Sequence, residues 1–312
     1  MKKILSFILI LSNIIFFTAC SAQNKESFSS KDEKIKVAVS FNPLKEYVKA
    51  IGKDKVEIKS IIPEGSEPHD FEPKIRDMES INNANIFVYN GFGMEAWVDK
   101  TLNNIDNKGV VVVEASKNVT PLKNKESEEG HDKGHEEEHE HSHGQYDPHT
   151  WLSIKAAVKQ SEVIKDALIK VDPKNKNYYE NNYKDFKESL EKLYSEYKKK
   201  FESVKGNHFV TGHAAFGYLC RDFNLEQNSV ENVFAEGEPT TKKMKKLIDY
   251  CKKNNIKTVF LEENVSEEVS KTLAKEVGAK VEKIYTLTNS VENKGYIEVM
   301  QYNLEKIYES LK

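Results

Sequence analysis

The stretch IKVAVSFNPLKEYVKAIG, residues 35–52, contains the unit from which the whole fold is predicted. Its opening segment, IKVAVS, is short and rich in apolar and β-branched residues, which is typical of a buried strand. The segment that follows, NPLKEYVKAIG, has apolar residues at helical spacing and ends at Gly52, which predicts a helix. A strand followed directly by a helix is the unit of a parallel α/β sheet.

The same alternation of strand and helix continues on both sides of a central helical region. In the first half the predicted strands are VEIKSII, NIFVYNG and VVVVEAS, separated by the helical patterns PKIRDMESINNA and MEAWVDKTLNNI. In the second half the strands HFVTG, LEQNSV, TVFLEE and KVEKIYTL alternate with helices, and GYIEVMQYNLEKIYESLK closes the chain as a helix. The sequence therefore predicts an α/β fold of two lobes, each built from parallel β/α units.

A long helix is predicted between the two lobes. It begins at Asp172-Pro173, where proline suits the first helical turn, and aromatic and leucine residues follow at helical spacing. About thirty residues of helix would reach roughly 45 Å, enough to cross from one lobe to the other. We therefore assign residues 35–171 to the N-terminal lobe, 172–204 to the connecting helix and 205–312 to the C-terminal lobe. A cleft between two such lobes is a usual place for a ligand.

The N-terminus predicts export and a lipid anchor. MKK, the apolar run ILSFILILSNIIFF and the small residues before Cys20 are typical of a signal peptide over residues 1–19. Phe17-Thr18-Ala19-Cys20 also resembles the bacterial lipobox, although Phe17 replaces the usual leucine. Lipidation of Cys20 would place the chain on the extracytoplasmic face of the cell membrane, with residues 20–34 as a flexible tether. Export without the lipid is the alternative.

Residues 124–145, NKESEEGHDKGHEEEHEHSHGQ, form the most biased segment. The segment holds eight acids and five of the nine histidines: His131, His135, His139, His141 and His143. It has no aromatic or β-branched residue, so a disordered loop is expected. Histidine-rich tracts suggest metal binding, and we expect accessory, weak metal capture here, with a solvated acidic insert as the alternative. The whole chain has 47 basic and 50 acidic residues, which excludes the basic footprint of a nucleic-acid-binding protein.

Three of the remaining histidines lie in loops and could converge on the cleft. They are His69 in EPHDFEP, His149 in DPHTWLS and His213 in HAAFGYL. Three neutral imidazoles suit zinc and leave its fourth tetrahedral position open. Because ligating imidazoles must be unprotonated, zinc release is expected as the pH falls below about 6.5. His208 lies at the front of a strand and alternates away from the loop end, so a structural role is expected.

Carboxylates beside these histidines are candidates to orient the imidazole rings. A carboxylate that accepts the far ring N–H fixes the tautomer and the direction of the ligating nitrogen. The candidates are Asp147 for His149, and Glu67 or Asp70 for His69.

The three histidine motifs, in this order, resemble those of the cluster-9 metal-binding proteins of ABC importers. EPHDFEP is similar to the family's P-H-x-x-E-P stretch, DPHTWLS to DPHxWL and HAAFGYL to HxAFxYF. The zinc-specific branch often carries a His-rich acidic insert between the first two. The resemblance implies a rigid connecting helix and a monomer that holds zinc as cargo in the cleft, at His69, His149 and His213, and delivers it to a membrane permease.

The resemblance leaves the fourth metal ligand open. Manganese-binding relatives use an aspartate near the end of the last strand, and some zinc relatives use a glutamate slightly beyond it. In this chain the region reads IYTLTNSVENKG, with no acid before Glu292. Either Glu292 reaches the site or water completes it.

Three other functions are alternatives to zinc delivery. A manganese-binding homologue and a surface adhesin both fit the same family, and an exported zinc hydrolase would use an open zinc position to activate water. No G-x-S-x-G motif supplies a nucleophile, so we expect no enzyme activity. Two further thiols, Cys220 and Cys251, remain in an exported chain, and the sequence leaves their pairing open.

Overall fold

The computed structural model describes residues 33–124, 144–233, 240–263 and 265–312. The predicted signal peptide, Cys20, nearly all of the tether and the five histidines of the acidic segment lie outside the described residues. Within the described residues, no helix has the length and apolar character needed to cross a membrane.

The described strands form two parallel four-stranded sheets. Their orders are β2-β1-β3-β4 and β6-β5-β7-β8, so both lobes share one topology. The strands are β1 (Ile35–Val39), β2 (Val56–Ser60), β3 (Ile86–Tyr89), β4 (Val111–Glu114), β5 (His208–Thr211), β6 (Glu226–Ser229), β7 (Thr258–Leu261) and β8 (Lys280–Lys283). In the register, Val37 lies opposite Ile58 on one side and Ile86 on the other. This arrangement confirms the predicted fold class.

Helices connect the strands and link the lobes. They are α1 (Asn42–Gly52), α2 (Ile75–Asn82), α3 (Val98–Asn103), α4 (Ile154–Val171), α5 (Lys176–Glu202), α6 (Gly217–Phe223), α7 (Thr241–Lys253), α8 (Glu267–Val277) and α9 (Tyr296–Ser310). A 3₁₀ turn at Pro173–Asn175 precedes α5, so the regular helix begins a few residues later than the expected start.

The long helix α5 contacts elements from both halves of the chain. Near its start Asn182 donates from Nδ2 to the carbonyl of Ile51 at 2.9 Å, and near its end the Tyr197 hydroxyl donates to Glu305 at 2.7 Å. One continuous hydrophobic cluster includes Phe87 of the first sheet and Phe260 of the second. Because close-packed cores resist deformation, this shared cluster holds the lobes in a fixed relation.

Two predicted elements are shorter than expected, for reasons of packing. The predicted helix MEAWVDKTLNNI is α-helical only over α3. The reason is that its first residue, Met94, lies in a turn, in which its N–H donates to the carbonyl of Gly91, whose φ is +96°. The predicted strand KVEKIYTL ends at Lys283, because the chain then turns toward the other lobe. There the carbonyl of Thr286 accepts from Trp151 Nε1 at 2.7 Å, and that of Leu287 accepts from Asn42 Nδ2 at 3.1 Å.

The two described cysteines, Cys220 and Cys251, are both buried and do not form a disulfide with each other. Burial raises the pKa of Cys251 to about 11, so its thiol stays protonated at neutral pH. These thiols are packed parts of the core.

Candidate metal centre

His69, His149 and His213 lie together between the two lobes. One potential ligand atom from each lies within 4.8 Å of the others, and no described carboxylate or thiol belongs to this group. The Nε2 atoms of His69 and His149 are 3.3 Å apart. A tetrahedral zinc with bonds of about 2.0–2.1 Å to nitrogen separates two of its ligand atoms by about 3.3 Å. The pair is therefore already spaced as two ligands of one zinc ion.

His149 is oriented by Asp147, the partner proposed from the sequence. Asp147 Oδ1 accepts the Nδ1–H of the ring at 2.8 Å and the backbone N–H of the same residue at 2.9 Å. Both side chains are buried. With Nδ1 protonated, the lone pair of the ring lies on Nε2, which is the atom that faces His69.

The C-terminal lobe supports Asp147 from the other side. The Tyr218 hydroxyl, on α6, donates to the carbonyl of Asp147 at 2.7 Å. A Cβ atom at the neighbouring Gly217 would lie 2.6 Å from Asp147 Oδ2, closer than any side chain allows. The glycine in HAAFGYL therefore permits the close approach of α6 to this carboxylate.

His69 lies in the loop after β2, between two prolines. Glu67 Oε1 accepts the backbone N–H of His69 at 3.4 Å, whereas Asp70 is exposed. The ring of His69 lies edge-on to the other two imidazoles, with centroid distances of 5.2 Å to His149 and 5.9 Å to His213.

His213 follows β5 and is buried. Its Nε2–H donates to the carbonyl of Val233 at 3.0 Å. Its backbone N–H donates to Glu262, a buried glutamate that sequence reasoning missed. Burial raises the pKa of Glu262 to about 8. The sequence signal for it is a pair of acids at the carboxyl end of β7, the edge where parallel sheets present ligand groups.

Two other candidates lie outside the group. His208 makes a 2.9 Å hydrogen bond from Nδ1 to the Tyr250 hydroxyl, at the start of β5, in agreement with the structural role expected for it. Glu292, one of the two options for the fourth ligand, is exposed.

Burial keeps two of the imidazoles neutral. It lowers the pKa of His213 to about 3 and places the pKa of His69 well below its usual value, and the charge of the neighbouring His149 acts in the same direction on both. Protons therefore compete with a metal for these two rings only at a pH below the value of about 6.5 expected from the sequence.

We expect zinc affinity to depend weakly on pH between 7 and 5. Three imidazoles of ordinary pKa would together lose about a thousandfold in affinity per unit below 6.5, tenfold for each ligand. Since burial lowers the pKa of both His69 and His213, the loss should stay far below this value. Zinc titrations against a chelator of known affinity at pH 7, 6 and 5 measure it. A loss above a hundredfold per unit would contradict the burial of these rings.

Comparisons with known proteins identify the family of the chain. The family model described as zinc-uptake complex component A, periplasmic (ZnuA), matches residues 37–310. A putative metal-binding protein of Treponema pallidum is 40% identical over 303 residues, covering 97% of this chain and 95% of that protein. The high-affinity zinc uptake system protein ZnuA of Bacillus subtilis is 37% identical over 316 residues, covering 99% and 98%.

Solved structures share the fold over most of the chain. The laminin-binding protein Lmb of Streptococcus agalactiae, described as bifunctional with adhesin and metal-transporting activity, has a TM-score of 0.80 at 34% identity, covering 90% of this chain and all of that one (100%). The Zn(II)-bound ZnuA-like domain of Streptococcus pneumoniae AdcA has a TM-score of 0.74 at 31% identity, covering 89% and 99%. With a family model that matches almost its whole length and relatives of this similarity, the chain belongs to the zinc-uptake complex component A family.

Proposed function

We propose that this protein captures zinc outside the cytoplasm and delivers it to an ABC-type membrane permease. The observation that carries the proposal is the convergence of His69, His149 and His213 from separate loops of the two lobes. Membership of a zinc-uptake family supports the same function. In this proposal zinc is the cargo, bound by three imidazoles, and water or a mobile carboxylate completes the tetrahedron.

The donor set favours zinc over manganese. Imidazole suits zinc, whereas manganese prefers carboxylate and carbonyl oxygens, and zinc binds more tightly at nitrogen sites in the general order of divalent metals. No carboxylate among the described residues joins the three histidines. The manganese-binding alternative therefore has less support than zinc.

The hydrolase alternative lacks support. Residues 135–139, HEEEH, match the letters of the HExxH zinc-protease motif, but that motif binds zinc when both histidines lie on one face of a helix. The surrounding run lacks the apolar spacing of a packed helix, and these residues lie outside the described part of the chain. The family and the relatives above are uptake and metal-binding proteins.

The function is tested by zinc uptake in cells that lack this protein. Accumulation of ⁶⁵Zn at limiting zinc should fall without the protein and return when the full chain is supplied. Uptake of manganese should change little. Unaltered zinc uptake in the absence of the protein would overturn the proposal.

The histidine-rich segment is proposed as an accessory, weak metal site. Its five histidines and eight acids would raise the local concentration of divalent cations near the cleft. The ends of the segment lie side by side, because Lys123 forms a bridge with Tyr146 and the N–H of Asn124 donates to the carbonyl of Gln145 at 3.1 Å. The segment is thus an insertion that leaves the surrounding fold continuous.

A lipid anchor at Cys20 is proposed to hold the protein at the membrane. Cys20→Ala should move the protein from the membrane fraction to the soluble fraction, because attachment then loses its acyl chains. Immunoblots of fractionated cells measure this, with Ser21→Ala as a matched neighbouring control. Equal retention of both variants would contradict lipidation. The tethered protein is proposed to act as a monomer.

Adhesion is a second candidate function, favoured by the similarity to the laminin-binding protein of S. agalactiae. Binding of the purified protein to immobilised laminin tests it directly. Because adhesion requires no permease, it would be an additional role of the same chain.

A further inference from the structure

Two polar side chains hold the backbone around His213, one through its N–H and the other through its C=O. Glu262, which directly follows β7, accepts the N–H of Gly212 on Oε2 at 2.9 Å and the N–H of His213 on Oε1 at 3.1 Å. Gln227, on β6, donates from Nε2 to the carbonyl of His213 at 2.7 Å. The N–H and the C=O of the histidine are therefore both bonded to side chains.

Gln227 also connects the residues on either side of the histidine. Its Nε2 donates to the Thr211 hydroxyl at 2.5 Å, and its Oε1 accepts the N–H of Phe216 at 2.9 Å. The Thr211 hydroxyl in turn donates to the carbonyl of His213 at 2.6 Å. The turn from the end of β5 to the start of α6 is thus closed by a single amide side chain.

The bonds to Glu262 form in a buried and crowded place. Glu262 is 4% exposed, and a Cβ atom at Gly212 would lie 2.8 Å from its Oε2. Low polarity around a hydrogen bond strengthens it. A buried carboxyl group is costly unless its oxygens are bonded, and here each oxygen accepts a backbone N–H.

The contrast with His149 indicates what these bonds do. The ring of His149 is oriented directly by a carboxylate, Asp147. The ring of His213 donates from Nε2 to the backbone carbonyl of Val233. The same Nε2 atom could bind a metal. Metal binding through Nε2 would exchange that hydrogen bond for a coordinate bond. The direction of this imidazole must then come from its backbone.

We propose that Glu262 and Gln227 are positioning residues that fix the backbone of His213 and thereby set the zinc affinity of the site. The inference rests on the proposed function, since it assigns His213 as a zinc ligand. Neither residue touches the metal in this account. Partners that orient a metal ligand typically contribute tenfold to a hundredfold in affinity.

The test compares two neighbouring glutamates, of which Glu262 is buried and Glu263 is partly buried. In Glu262→Gln the new amide can accept only one of the two backbone N–H groups, so we expect zinc affinity to fall about tenfold to a hundredfold. Glu263→Gln is the matched control, because Glu263 also accepts two hydrogen bonds, but from Thr286. One comes from the N–H of Thr286 at 2.8 Å and the other from the hydroxyl of Thr286 at 3.1 Å. We expect the control to change zinc affinity less than about threefold. Affinity is measured by chelator competition on the full chain.

Two further measurements separate positioning from folding. The visible absorption of the Co²⁺-loaded protein reports ligand geometry, and it should change in Glu262→Gln and stay unaltered in Glu263→Gln. If Glu262→Gln fails to fold, Gln227→Met conserves volume at a partly exposed position, removes the donor to His213, and should lower zinc affinity about tenfold.

The outcomes are distinct. Wild-type zinc affinity and an unaltered Co²⁺ spectrum in Glu262→Gln would overturn the inference. If Glu262→Gln does not fold, the same result in Gln227→Met would overturn it. In both cases the proposed function would stand. Equal losses in Glu262→Gln and Glu263→Gln would also overturn it. A wild-type chain that binds no zinc at this site would overturn the proposed function itself.

Discussion

Replacing His149 with alanine should lower zinc affinity by about a hundredfold to a thousandfold. Structural zinc sites bind with roughly 10–16 kcal/mol shared among four ligands, so one imidazole accounts for about 2.5–4 kcal/mol. His149 has the most support as a ligand, because Asp147 presents its Nε2 toward His69 at the spacing of a zinc tetrahedron. Removing it also leaves the buried carboxylate of Asp147 without the ring N–H.

His208→Ala is the matched control for this variant. His208 is a partly buried histidine that bonds to Tyr250 at the opposite end of β5 from His213. Its removal should leave zinc affinity within about twofold, because it contributes no ligand. Competition titration of both variants on the same day compares them directly. Equal affinities in the two variants would remove His149 from the metal site.

Trp151→Ala should lower the free energy of unfolding by about 3–5 kcal/mol. The Trp151 side chain is fully buried, and its ring lies 4.7 Å from that of Phe41, centroid to centroid. Its indole N–H donates to the carbonyl of Thr286, which lies in the part of the chain assigned to the other lobe. Truncation would leave both a large cavity and a buried carbonyl without its donor.

Trp151→Phe separates these two contributions. Phenylalanine keeps most of the apolar contact with Phe41 but cannot donate to Thr286, so a loss of about 1–3 kcal/mol is expected. Urea denaturation of the zinc-free proteins measures both variants. A loss below about 1 kcal/mol in Trp151→Ala would show that the contact between the lobes is not held by this side chain.

The fold was predictable because its signals are local and repeated. Strands such as β1 and β3 are short apolar runs followed by helical spacing, and this pattern occurs in both lobes. The end of β8 at Lys283 was not predictable. The apolar residues beyond it continue the strand pattern, and only contact with the other lobe, through Thr286 and Leu287, turns the chain away.

The candidate site was predictable in part for the same reason. Histidines beside prolines and acids in loops attract notice in a sequence, and His69, His149 and His213 do lie together. Gln227 gave no such signal, because its partners are groups of a turn distant in the sequence. Glu262 gave only the weaker signal of a pair of acids at the carboxyl end of β7. The low pKa of His213 also depends on burial by both lobes, which no local pattern encodes.

The most direct test of the zinc site is a zinc-edge anomalous difference map. The crystals contain the zinc-loaded chain without residues 125–143, so the accessory histidines are absent. A short linker can join the two ends of this deletion, because Lys123 and Tyr146 beside them form a bridge. The account predicts one dominant peak per chain, about 2.0–2.1 Å from a ring nitrogen of each of His69, His149 and His213. A map with no peak between these three rings, or with its dominant peak elsewhere, would contradict it.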